Sequence, residues 1–319
     1  MITKEPSQDV TPLSNEQAGF AAEITPDGLT PPRAQEPQAY AWLEVLKAFV
    51  VWVLSVVMLA AVPVMFALPY IIYQWVNVGP PRPETITTDK TLIFLSILGI
   101  LPTHLLTIAL VWLFATEGGR KPFLATLDFR WPRYSTPLMA TLLSVLIALV
   151  LLAIGLAFTT LWGGSKTQLD ALVESSMAAR IATALVAVVT APLAEELIYR
   201  GVLYSALERA TNKAISVVIV SLLFSGVHVL QYSQNIGVIL VITLLSFTLT
   251  LSRAYSGSLI PPFIIHLVFN GIQAIIIVLS PFIDKNMFQK GEQITPTTPG
   301  VELVSRLFET ISVYICRMT

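Results

Sequence analysis

Apolar runs of about 20 residues recur along this chain, and one such run wound as a helix matches the ~30 Å hydrocarbon core of a bilayer. Hydropathy predicts spans at about 46–75, 91–115, 137–162, 179–205, 214–232, 235–255 and 258–280. Because the runs exclude charge, only 12% of the residues are charged, against roughly 25% in soluble domains. A membrane β-barrel would alternate apolar and polar residues in short strands, and that alternation is absent. The fold class expected is all-α: a polytopic membrane helix bundle with about seven or eight transmembrane helices.

The flanks read differently. Residues 1–45 are polar and Pro-rich, with "TPLSNEQAGF" and "PDGLTPPRAQEPQ", and are expected to be a disordered tail rather than a signal peptide. The bundle spans 46–280. Residues 281–319 form a tail whose segment "VELVSRLFETISVYIC" spaces Leu303, Leu307, Phe308, Ile311, Tyr314 and Ile315 helically. That segment reads as an interfacial amphipathic helix or an eighth span. The loop "TEGGRKPFLATLDFRWPRYS" mixes Arg120, Lys121, Arg130 and Arg133 with Phe123, Leu124, Leu127 and Trp131, and reads as a surface-lying element. Its cations, with Arg209, Lys213 and Arg253, put one set of loops in the cytoplasm and the N-terminus with them. Tail and hydropathy together point to a multi-pass protein of a bacterial inner membrane. Net charge is −1, so no nucleic-acid partner is expected, and the single Cys316 excludes an internal disulfide. No internal repeat is apparent.

Ionisable groups at membrane depth are costly, at least ~2.5–3.5 kcal/mol each on insertion scales, so the few present are informative. They are His104, Glu195, Glu196, Arg200, His228 and His266, joined by the polar Asn270. The turn between the fourth and fifth spans centres on Thr211 and Asn212. Glu195 lies 16 residues before Thr211 and His228 16 after Asn212. In an antiparallel hairpin both then sit ~24 Å along the helix from the turn. His266 and Asn270 are i,i+4 and share a face, as do Glu196 and Arg200, which suits an ion pair. Glu195 is rotated ~100° from Glu196 and points elsewhere. Pro192 is expected to kink the helix just before the carboxylates, and Gly226 to permit close helix approach. His104 reads as an interhelical hydrogen-bond partner outside the set.

A carboxylate, two imidazoles and an amide can activate water and stabilise an oxyanion. Alternatively, Glu195, His228 and His266 make a three-ligand site for a divalent metal such as zinc, with an open fourth position. Both readings lead to hydrolysis.

The same residues resemble the motifs of a membrane peptidase family, the CPBP family (CAAX protease and bacteriocin-processing, also called Abi). "EELIYR" resembles its EExxxR motif, "FSGVH" (Phe224 to His228) its FxxxH motif, and "HLVFN" (His266 to Asn270) its HxxxN/B motif. The three occur in family order, and the peptidase core would cover about 137–280. The resemblance implies a conical intramembrane cavity and an intramembrane endopeptidase like the type II CAAX prenyl endopeptidases. Carried over by motif, Glu195 is the water-activating carboxylate and His228 its partner. His266 and Asn270 share the site, with Asn270 a candidate oxyanion donor, and Glu196 with Arg200 completes the first motif. The family has been called both metalloendopeptidase and metal-independent glutamate peptidase; no obligatory metal is favoured here, with zinc the alternative. The implied partners are a membrane-associated protein or peptide substrate and the lipid bilayer. Two other functions compete: a non-catalytic scaffold or bacteriocin-immunity protein of the same fold, and a transporter using the buried charges as an ion path.

Overall fold

The computed structural model describes residues 38–80, 89–163, 173, 174, 176–232 and 235–282. Among them all regular structure is helical: α1 (Gln38–Asn77), α2 (Lys90–Ala115), α3 (Pro137–Trp162), α4 (Met177–Ala210), α5 (Lys213–Tyr232), α6 (Ile236–Ser256) and α7 (Ile260–Leu279). Six of these are long and apolar enough to cross a membrane, and α5 adds a shorter apolar stretch, Lys213–Val229. The protein is an all-α polytopic bundle. α1 begins at Gln38, ahead of the position 46 read from hydropathy, and runs unbroken through Pro63 and Pro69. The amphipathic segment around 303–315 lies outside the described residues.

Polar residues set the helix starts where the apolar runs begin. Asp89 accepts from Thr91 and Leu92 N–H at 2.8 and 3.0 Å. Thr136, Ser176 and Asn235 cap α3, α4 and α6 in the same way, and Asn212 Oδ1 accepts from Ile215 N–H at 3.0 Å. Each bond satisfies a backbone donor that helix geometry leaves free. At the end of α6, Gly257 takes the left-handed conformation, φ 60°, and lets the chain reverse into α7.

Burial ranks the helices. The apolar window of α1 is 6% buried and that of α4 44%, so α1 faces lipid while α4 lies among its neighbours. Leu138, Leu142, Leu146 and Leu149 of α3 are likewise exposed, which costs nothing against lipid tails. Two glycines mark where backbones touch. A Cβ on Gly99 would come within 2.6 Å of Pro63 Cα, and one on Gly237 within 2.7 Å of Phe158 O. Gly226 is different: a Cβ there meets nothing within 4 Å, so the close approach expected at that position is absent.

The loop after α2 is not wholly surface-lying. It makes one helical turn, Phe123–Thr126, and then drops Leu127 into the core at 2% exposure, against Gly201 of α4. Leu124 and Trp131 stay exposed. Asp128 follows with φ 53°, and its carbonyl accepts from Leu259 N–H at 3.0 Å. The loop is thereby tied to the turn between α6 and α7.

Candidate active site

The carboxylates sit on α4 between two departures from α-helical geometry. Val186–Thr190 and Leu197–Leu203 are π-helical, with Ala191 N–H bonding Val186 O and Tyr204 N–H bonding Tyr199 O in the i→i+5 register. The next π bond after the first would run from residue 192 to Ala187 O, but Pro192 has no N–H. Asn270 of α7 supplies the missing donor, its Nδ2 lying 3.0 Å from Ala187 O. The kink expected from Pro192 is thus taken up as a π turn held from outside the helix.

Glu196 and Arg200 form the pair that their spacing predicts. Both side chains have 0% exposure, with Arg200 Nη1 3.0 Å from Glu196 Oε1. Arg200 uses its other donors on α6: Nε to Thr250 Oγ1 at 3.3 Å, and Nη2 to Ser246 O and Oγ at 3.2 Å each. Its guanidinium also lies 4.7 Å from the ring centroid of Phe224. A buried ion is tolerable on such terms, with opposite charge, hydrogen bonds and an aromatic face together offsetting desolvation.

His266 links the two carboxylates. Its Nδ1 lies 2.9 Å from Glu196 Oε1 and its Nε2 3.6 Å from Glu195 Oε2. Glu196 Oε1 already accepts from Arg200 Nη1, and with the same oxygen accepting from the ring, Nδ1 is the donor, while Glu196 Oε2 is buried with no hydrogen-bond partner. The second ring nitrogen is thereby aimed at Glu195, whose side chain is 25% exposed. His228 is held separately: Nδ1 donates to Phe224 O at 2.9 Å, and the ring stacks on Phe224 at 4.7 Å. In the neutral ring Nε2 is then an acceptor. Phe224 is the hub of this packing, with Tyr199 edge-on at 5.0 Å and His266 at 6.1 Å.

These groups meet at a cavity of about 320 Å³ whose lining includes Glu195, Phe224, His228, His266 and Asn270. Glu196 and Arg200 stand behind it. His104 departs from expectation. It makes the interhelical bond foreseen, Nδ1 to Thr190 Oγ1 at 2.8 Å, yet it also lines this cavity. Sequence reading also missed Ser246, Thr250, Arg253 and Asp128. The first two are small hydroxyls at i,i+4 on an otherwise apolar span, a signal that could have marked a polar face on α6. Among the described residues no group of three His, Cys, Asp or Glu side chains gathers as a ready metal-binding set, while Glu195, His228 and His266 all line the one cavity.

Comparison with known proteins gives one finding about this stretch. Residues 177–272 match the family described as type II CAAX prenyl endopeptidase, Rce1-like. The matched segment carries all three motifs and supports the CAAX protease family, whose members are intramembrane proteases in general terms. No curated protein and no solved structure matches the chain.

Proposed function

We propose, from the CAAX protease family that residues 177–272 match, that this chain is an intramembrane endopeptidase in which Glu195 activates water against peptide bonds of membrane-associated substrates. One observation carries the reading: of two adjacent carboxylates, Glu196 is neutralised and wholly buried, while Glu195 faces the cavity with His266 Nε2 at 3.6 Å. One is structural and the other is left for chemistry.

In this reading water donates one O–H to Glu195 and the other to His228 Nε2. The water oxygen bonds the carbonyl carbon as Glu195 takes the proton. The second hydrogen on Asn270 Nδ2, the one not given to Ala187 O, is a donor for the oxyanion. The C–N bond then breaks, and the proton held by Glu195 and His266 goes to the leaving nitrogen, giving an acid and an amine. The chemistry needs only water and these side chains, and no obligatory metal is part of it. The N-terminal side is assigned to the cytoplasm on the cation bias of the loops, and the membrane to a bacterial inner membrane on the polar tail and the hydropathy.

The test is cleavage of a quenched peptide library, prenylated and unmodified, by purified protein in detergent. Glu195→Gln keeps shape but cannot accept a proton, and is expected to lower turnover by about 10²–10⁴-fold, the range for a general base, with unchanged thermal unfolding. Wild-type turnover in that variant would exclude the assignment. Chelation followed by elemental analysis is expected to leave activity intact without bound zinc. Loss of stoichiometric zinc together with activity would require a metal mechanism instead.

A further inference from the structure

A second pocket, of about 250 Å³, lies where span ends meet on the side of the bundle carrying the α2–α3 loop. Its cations are Arg130 and Arg133 from that loop and Lys213 from the start of α5. Among the described residues no carboxylate lines it. The nearby Asp128 is already engaged, by Arg130 at 3.1 Å and by Arg253 at 2.9 Å. Lys213 Nζ reaches Ala254 O at 3.3 Å near the end of α6, and Ser258 Oγ donates to Arg130 O, so the Lys213 ammonium is held at the end of α6 and the Arg130 backbone at the α6–α7 turn. Arg133 has no ion-pair partner among the described residues.

Three aromatic rings rim this pocket: Trp131 at 42% exposure, Tyr134 at 95% and Tyr255 at 81%. Rings so exposed are costly in bulk water, but they sit where Trp and Tyr are favoured, at the headgroup level of a bilayer. Span ends at Lys213 and Ser256, and the nearby start of α3 at Pro137, put the pocket at that level. A phosphodiester monoanion satisfies both features, its charge meeting the cations and its glycerol and acyl parts meeting the rings.

We propose that the Arg130–Arg133–Lys213 pocket binds the anionic phosphodiester headgroup of a membrane lipid. It lies apart from the cavity that holds Glu195, and its occupant is a lipid of the surrounding leaflet. A free phosphate ion shares the recognition chemistry and is separated by experiment.

The full chain is reconstituted in nanodiscs of phosphatidylcholine alone or mixed with phosphatidylglycerol, and lipid retained after gentle delipidation is measured by native mass spectrometry. Preferential retention of phosphatidylglycerol is expected. The preference should weaken about fivefold in Arg133→Gln and about twenty-five-fold in Arg133→Gln/Lys213→Gln. Arg133 is exposed, so thermal unfolding of its single variant in phosphatidylcholine should match wild type. Equal retention of the two lipids, or a preference unchanged in Arg133→Gln, would overturn the proposal. So would displacement of the lipid by millimolar inorganic phosphate, which would assign the pocket to a free ion.

Discussion

At Glu196 a carboxyl group is held with 0% exposure by Arg200 and His266, and the energetics of that arrangement are sharply asymmetric. Removing one partner leaves the other charge buried and unpaired, at about 3–5 kcal/mol. Replacing both by apolar residues removes the desolvation penalty as well. Glu196→Ala and Arg200→Ala are therefore each expected to lower thermal stability in detergent by an amount of that order, and Glu196→Leu/Arg200→Met to recover most of it. Activity should not return in the double variant, because His266 loses the carboxylate that fixes its Nδ1 proton and aims Nε2 at Glu195. Unfolding scans beside the cleavage assay check both parts, and wild-type stability in Arg200→Ala would refute the buried-pair account. The pair itself was legible in sequence, since i,i+4 spacing on one helix needs no tertiary knowledge. Which histidine attends Glu195 was not. Matched depth favoured His228, but His228 gives its Nδ1 proton to its own helix at Phe224 O, and only the packing of α7 on α4 brings His266 to the carboxylates.

Helix α4 shows the same division at the scale of an element. Its existence, its position and the disturbance at Pro192 follow from apolar length and a missing N–H. The π register does not, because hydropathy over so uniformly apolar a helix does not separate i+4 from i+5. Asn270 was read as part of the catalytic set, and its bond to Ala187 O gives it a structural task besides. Asn270→Ala would orphan that carbonyl, a loss of about 1–3 kcal/mol, and let the turn ahead of Glu195 relax. Pro192→Ala restores a backbone donor at the position from which a π bond to Ala187 O can form. Pro192→Ala/Asn270→Ala is accordingly expected to be more stable than Asn270→Ala alone, as measured by thermal unfolding. The coupling energy from the full double-mutant cycle is the decisive quantity. Additive losses would mean that Asn270 does not substitute for the proline's missing donor. Activity in the double variant then reports the amide's other hydrogen separately, staying low if it serves an oxyanion.

Across the whole molecule, a chain of polar contacts runs from the water-facing loop to the cavity. Asp128 Oδ2 meets Arg253 Nη2 at 2.9 Å, Arg253 Nε donates to Arg200 O at 3.3 Å, and Arg200 holds Glu196 and through it His266. The backbone of Asp128 adds a bond to Leu259 N–H, so one loop residue braces both the end of α6 and the start of α7. Nothing in the spacing of these residues announces the link, since Asp128 and Arg253 are 125 positions apart. Asp128 contributes in two separable ways. Its φ of 53° is a conformation that Asp and Asn tolerate better than most residues, and its charge faces an arginine that is 4% exposed. Asp128→Asn keeps the backbone preference and an acceptor oxygen but removes the charge, whereas Asp128→Ala removes all three. A hydrogen bond to a charged group contributes about 1.5–3 kcal/mol. Asp128→Ala should therefore lose at least that much stability, and Asp128→Asn a smaller part of it. Both should lower cleavage of peptides without touching the cavity, in the same rank order as stability. Thermal unfolding and turnover measured on the two variants test this together: equal stability of Asp128→Ala and wild type would mean the loop is merely adjacent to the bundle, and the brace would have no energetic content.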